Sequence, residues 1–293
     1  MMKFPQLANA DNSTCLLGES PIWDAINERI LWLDILNREI HQFYPDFQEH
    51  KIVQLDKIPG CITLNVRGEL LAAVEDGFAA VDIETGGLTM LAEVEKGNGD
   101  NRFNDGKCDA RGRFWAGTMS MSGKPGLGSV YALETNGSVT LKIEGVGCSN
   151  GMAWSPDNTK FYYIDSPTKQ VVSYDFDLDS GEICGKRVII SFSSGDGTPD
   201  GMTIDSEGMI WIALWDGWEI VRVNPVTGHI LESVPLPVSR VTSCTFGGDQ
   251  LQDLYITSAR IGLTGIELKK QPFAGALFVI KNAGFQGFNI YKI

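Results

Sequence analysis

Histidine is scarce in this sequence: three residues, His41, His50 and His229, serve 293 positions. None falls where chemistry-bearing residues recur along the chain, so all three are expected at the surface. Neither a His-rich zinc site nor a Ser-His-Asp triad is therefore expected. The six cysteines, Cys15, Cys61, Cys108, Cys148, Cys184 and Cys244, are scattered and form no C-x-x-C pair. That excludes a zinc knuckle and a thioredoxin-type motif, and predicts reduced, mostly buried thiols in a cytoplasmic protein. Basic residues are outnumbered, 24 Lys and Arg against 37 Asp and Glu, for a net charge of −13. Nucleic acid and anionic membrane surfaces are poor partners for such a chain, and solubility alone accounts for the acidity. No apolar run approaches the length of a membrane-spanning helix, and Met1 to Ala10 lack the continuous apolar stretch of a secretory signal. Helical spacing of apolar residues is nowhere sustained, which argues against βαβ units, and no phosphate-binding glycine loop occurs.

What the chain has instead is a repeat. Ser149-Asn150-Gly151-Met152-Ala153-Trp154-Ser155-Pro156-Asp157-Asn158 runs into Phe161 to Asp165, and reads as two strands joined by a tight turn. An oxygen-bearing residue leads, Asp or Ser follows five positions on, and Gly or Asn three further. Asp200 to Gly208, Asn104 to Gly112 and Glu19 to Asn27 repeat the template. Weaker copies begin at Gly60 and Thr242. The six leading positions are Glu19, Gly60, Asn104, Asn150, Asp200 and Thr242. Their spacing of roughly 41 to 50 residues is that of a propeller blade.

Each copy holds about four short strands, such as Arg29 to Leu33, Ile62 to Val66, Leu70 to Val74, Phe78 to Ile83 and Val171 to Phe176. The expected fold is an all-β, six-bladed propeller with four antiparallel strands per blade, spanning 1–293 as one domain. A strand is expected around Cys15 to Leu17, and Gly287 to Ile293 are expected to close the ring against N-terminal strands. Copy three carries a polar, Gly-rich insertion over Ser120 to Gly128. Copy six carries a long loop from Ile261 to Pro272.

In a propeller the equivalent positions of the inner strands meet around the central axis. The leading residues should therefore form a ring reading Glu, Gly, Asn, Asn, Asp, Thr. Two close carboxylates repel, and one divalent cation cancels both charges while the amides add neutral oxygens. Such a ring suits Ca, Mg or Mn and permits Zn or Fe. A turn requirement alone would explain Asn-Gly and Asp-Gly, but not their shared register, nor Glu19-Ser20-Pro21.

The same segments resemble a known family, the senescence-marker-protein (regucalcin), gluconolactonase and luciferin-regenerating-enzyme group. They are Gly18 to Trp23, Asn101 to Lys107, Ser149 to Ser155, Phe161 to Ser166, Pro199 to Met202 and Thr242 to Gly248. The resemblance implies a six-bladed propeller with one divalent metal in its channel, hydrolysing sugar lactones to aldonic acids. It implies Glu19, Asn150 and Asp200 as metal ligands, Asp200 also as general acid/base, and Arg102 and Asn104 as sugar contacts. Ser122 falls where animal members place a substrate-touching glutamate, and Trp215-Asp216-Gly217-Trp218 looks more like the bacterial sugar-lactonase branch. The expected partner is a small-molecule sugar lactone, and the expected state a monomer or weak dimer. A non-enzymatic calcium-binding propeller and a metal-dependent phosphotriesterase are the competing readings. Arg102 could instead pair with Asp100 or Asp105. Asp105 and Asp165 could line the mouth but read first as turn or strand-edge residues, and Trp215 and Trp218 as core residues or a sugar platform.

Overall fold

Each copy of the template folds as the opening hairpin of a blade, and its Asp or Ser organises the turn. In the computed structural model, which describes residues 7–65 and 67–288, Asp205 accepts the backbone N–H groups of Glu207 and Met209, each at 3.0 Å. Asp109 does the same for Arg111 and Arg113, Asp24 for Ile26 and Asn27, and the Ser155 hydroxyl for Thr159 and Lys160. The residue three further on, Gly112, Asn158 or Gly208, takes the left-handed φ that closes the turn. Local side-chain-to-backbone bonds of this kind are why Asp and Ser recur there.

The strands assemble into six four-stranded antiparallel sheets, each with its template strand innermost. The six inner strands are Gly18–Asp24, Pro59–Leu64, Asn101–Cys108, Ser149–Trp154, Thr198–Ile204 and Val241–Gly247. The core lies between adjacent blades. Trp115 and Val130 of blade three pack with Trp154, Phe161 and Tyr163 of blade four, all buried. Such aromatic contacts carry much of the burial energy, about 1.5–3 kcal/mol per large side chain.

Ring closure differs from the expectation. Leu7–Asn9 pairs antiparallel with Phe278–Ile280 as the outermost strand of blade six. The N-terminus therefore completes the last blade, and no strand forms at Cys15 to Leu17, where Leu17 makes a single bridge to Ala259. Gly287 makes a single bridge to Asp205; residues 289–293 and Val66 lie outside the described residues. The loop from Ile261 to Pro272 contains a short helix, Gly265–Lys270, opened by a Thr264–Glu267 capping box.

His41 is not a surface residue, and His50 beside it is half-buried. His41 is 2% exposed, stacks near Trp32, and pairs its Nδ1 with His50 Nε2 at 3.0 Å. His50 Nδ1 lies 3.2 Å from Asp11. Burial, then His50, lowers the His41 pKa to about 3. Between that value and the ordinary 6.5 the unfolded chain binds a proton that the folded chain refuses, so stability falls as pH is lowered through this window. Melting curves at pH 7 and pH 4.5 should show a smaller pH-dependent loss for His41→Gln than for the parent chain. An equal loss would show that His41 is protonated without penalty. His229 is exposed, as expected. The cysteines are all free thiols, four of them buried, with Cys148 half-buried and Cys184 exposed.

Candidate active site

The leading residues reach the channel because every inner strand is irregular at that point. The pairing register shifts between Phe103 and Gly106, Ser149 and Met152, Pro199 and Met202, Pro59 and Cys61, and Val241 and Ser243. In blade one the shift falls between Glu19 and Ile22, with Ser20 at φ 51°. A bulge re-aims a side chain out of the alternating pattern. The glycines that follow serve packing rather than turning. A Cβ on Gly151 would sit 2.8 Å from the Asp200 carbonyl, and one on Gly201 would overlap Ser243 of the next blade.

Glu19, Asn104, Asn150 and Asp200 line one cavity of about 380 Å³ at the mouth of the channel, together with Arg102. The other two leading positions do structural work. Gly60 lets its strand approach Phe103 and Asn104, and the Thr242 hydroxyl donates to the Gly18 carbonyl at 2.6 Å, tying blade six to blade one.

Hydrogen bonds fix the amides. Asn150 Nδ2 donates to Ser166 Oγ at 2.8 Å, and Ser166 Oγ donates to the Pro199 carbonyl at 2.6 Å. That leaves Asn150 Oδ1 as an acceptor, 3.2 Å from Asn104 Nδ2. Arg102 donates to the Phe103 carbonyl at 2.8 Å and to Asn104 Oδ1 at 2.9 Å. It is not paired with Asp100, which instead holds Ser120 and Ser122. Ser122 is exposed and does not line the cavity. Asp165 accepts the Gly147 and Cys148 N–H groups at the strand edge, as expected, and so sets the approach to Asn150. Trp215 lines the cavity, whereas Trp218 is 45% exposed outside it.

Sequence reasoning ranked Asp105 low as a channel residue and missed Lys107 and Cys148. Asp105 is buried rather than a turn residue, and lines the deeper channel with Lys107. Lys107 Nζ donates to the Met202 carbonyl at 2.8 Å. The Asn-Asp-Gly string resembles a turn, and only the bulge shows that Asn104 and Asp105 face different levels of one channel. Cys148 lines the mouth beside Asn150, and burial, then Asp200, pushes its thiol up to about 12.

The electrostatics follow from this crowding. Burial, then Asp105, raises the Glu19 carboxyl to about 8, with Arg102 opposing. Burial, then Glu19 and Asp105, raises Asp200 well above the usual carboxylate range. Among the described residues nothing donates a hydrogen bond to the Asp200 carboxyl, and no three His, Cys, Asp or Glu side chains are grouped to hold a metal. The donor set that does converge is two carboxylates and an amide oxygen whose nitrogen is already committed. That set fits a hard divalent cation, which would remove the repulsion between the two acids.

Comparison with known proteins agrees with this architecture. Residues 17–260 match the SMP-30/Gluconolactonase/LRE-like region. Regucalcin of Danio rerio is 40% identical over 279 residues, 94% of either chain. YvrE of Bacillus subtilis, provisionally named a sugar lactone lactonase, is 36% identical over 277 residues, 94% of this chain and 95% of its own. The structure of a calcium-binding protein, regucalcin, from Agrobacterium tumefaciens superposes with a TM-score of 0.93 at 28% identity, covering 99% of this chain and 98% of that one. The chain belongs to the SMP-30/gluconolactonase/LRE-like family.

Proposed function

We propose that this protein hydrolyses sugar lactones, opening an aldonolactone to the aldonic acid. The observation that carries the reading is the convergence of Glu19, Asn150 and Asp200, from blades one, four and five, on a single cavity beside Arg102 and Asn104. Family membership and the lactonase name of a full-length relative support it.

Glu19, Asn150 and Asp200 would hold a divalent cation, which when bound supplies Lewis-acid polarisation of the ester carbonyl. Asp200 takes the proton of the attacking water at a carboxylate oxygen. It returns a proton to the ring oxygen as the C–O bond breaks. A carboxylate beside a cation is a weak base, but water beside a cation is also more acidic, so the exchange stays feasible. Arg102 binds sugar hydroxyls or the forming carboxylate through charge-assisted bonds, held in place by Phe103 and Asn104. Asn104 lines the wall that would meet the sugar, and its amide holds Arg102 through Oδ1 and the Ser149 carbonyl through Nδ2. Ser122 is left out of the mechanism, because its hydroxyl is engaged with Asp100.

A panel of γ- and δ-aldonolactones beside an organophosphate, each with and without EDTA, tests the reading. We expect turnover of an aldonolactone, its loss in chelator, and its return with added divalent cation. Turnover of the organophosphate alone would favour phosphorus as the reacting centre. Cation binding with no hydrolysis of either would favour a calcium-binding propeller.

A further inference from the structure

The cavity has a second tier. Two positions before each leading residue stand Leu17, Ile58, Arg102, Cys148, Thr198 and Arg240. All but Ile58 line the cavity. Arg102 and Arg240 are thus the same position of the repeat in blades three and six. Neighbouring blades pack in chain order around the ring, and blade six meets blade one. Blades three and six therefore stand opposite each other, with two blades between them in either direction. The two guanidinium groups belong to opposite sides of one mouth.

Arg240, like Arg102, is oriented by its neighbours. Its backbone bridges to Trp215 of blade five, and its carbonyl accepts the Ala259 N–H at 2.9 Å. The guanidinium lies 4.9 Å from the centre of the Trp215 ring, and Nε donates to Asp216 at 3.2 Å. A Cβ on Gly262, a glycine with φ +69°, would sit 2.7 Å from an Arg240 terminal nitrogen. The two terminal nitrogens donate to no described residue. Asp216 is 56% exposed at its side chain, so solvent screens it, and it fixes orientation more than it neutralises charge. A stacked, oriented guanidinium with free N–H groups is the geometry that binds a carboxylate or phosphate in two-pronged fashion.

In a chain of net charge −13, a built cation facing a substrate cavity opposite a second one has a specific use. We propose that Arg240 is a specificity-determining residue that selects lactones bearing a second, exocyclic anionic group at the end of the sugar away from the reacting ester. This rests on the lactone reading above. Arg102 then serves the reacting end, and Arg240 the carboxylate or phosphate at the other.

Titration calorimetry on the full chain tests this without turnover. The probes are D-gluconate, with one carboxylate, D-glucarate, with two, and 6-phospho-D-gluconate, with a carboxylate and a phosphate. The parent chain should bind at least one of the doubly substituted acids tenfold or more tighter than D-gluconate; whichever is tighter identifies carboxylate or phosphate as the preferred group. Arg240→Gln should cut that ratio at least tenfold, and Arg240→Lys, which keeps the charge but loses the fork and the stacking, at least threefold. Melting curves confirm that each variant is folded, and Arg240→Lys carries the test should Arg240→Gln fail to fold. Equal binding of all three acids by the parent chain, or a ratio unchanged in the variants, overturns the proposal. If the ratio behaves as expected while no lactone is hydrolysed, the anion subsite stands and the hydrolase reading falls.

Discussion

Replacing Asp200 with Asn should lower kcat/KM for an aldonolactone by at least about a thousandfold, the scale of losing a general acid–base group and with it a charged ligand. The substitution keeps the size of the side chain and the bulge that aims it. It removes the one cavity carboxyl that no described residue binds through a hydrogen bond, while Glu19 at least accepts the Ser20 N–H at 3.1 Å. The same change should leave the melting temperature of the metal-free protein equal or higher, because Asp200 sits buried against Glu19 and Asp105 and its charge is opposed by both. The two readouts move in opposite directions. A scaffold role for Asp200 would tie them together, and turnover equal to the parent chain would remove Asp200 from the mechanism.

How much of this site was legible in the sequence depends on which level of structure each residue uses. The ring was legible because rotational symmetry converts equal spacing along the chain into proximity around an axis. Glu19, Asn104, Asn150 and Asp200 met as their register implied. Gly60 and Thr242 fell in the same register but face neighbouring strands, since spacing places a Cα and does not choose what the side chain touches. Asp105 was ranked low and Lys107 missed because Asn104-Asp105-Gly106-Lys107 has the composition of a turn, and only cross-strand pairing shows it to be a bulged inner strand. The His41–His50 pair was missed for a related reason. The two residues lie on adjacent outer strands of blade one, and Asp11, from the segment after the closing strand, caps the pair. Closure does join an N-terminal strand to a late one, but through Leu7–Asn9 and Phe278–Ile280, and Leu7–Asn9 is too short and too ordinary to stand out as a strand. Arg240 carried no local signal at all. It becomes visible only when counted back from Thr242 and matched to Arg102.

The template's Asp, by contrast, should reveal itself through stability. Asp205→Ala should cost about 3–5 kcal/mol, the scale of breaking a buried pair by removing one partner. Asp205 is fully buried, and beyond its two turn N–H groups it accepts Trp211 Nε1 at 3.0 Å and Arg222 Nε at 2.7 Å. Arg222 lies 4.2 Å from the centre of the Phe285 ring, with its side chain 6% exposed. Its other carboxylate, Glu207, is 65% exposed and a weaker anchor. Alanine would therefore leave a buried cation half-compensated, an indole N–H unpaired and a turn without its organiser. For a chain of this length each kcal/mol shifts the melting temperature by roughly 2 °C, so a fall on the order of 10 °C is expected. Asp179→Ala supplies the contrast. Its ion pair with Arg111 is exposed on both sides, 81% and 57%, and its loss should leave the melting temperature unchanged within error. The expected ordering follows from burial, since the two aspartates make ion pairs of the same kind. If both variants melt together, the repeated Asp marks turns without holding the blades, and the template's recurrence would rest on the channel residues alone.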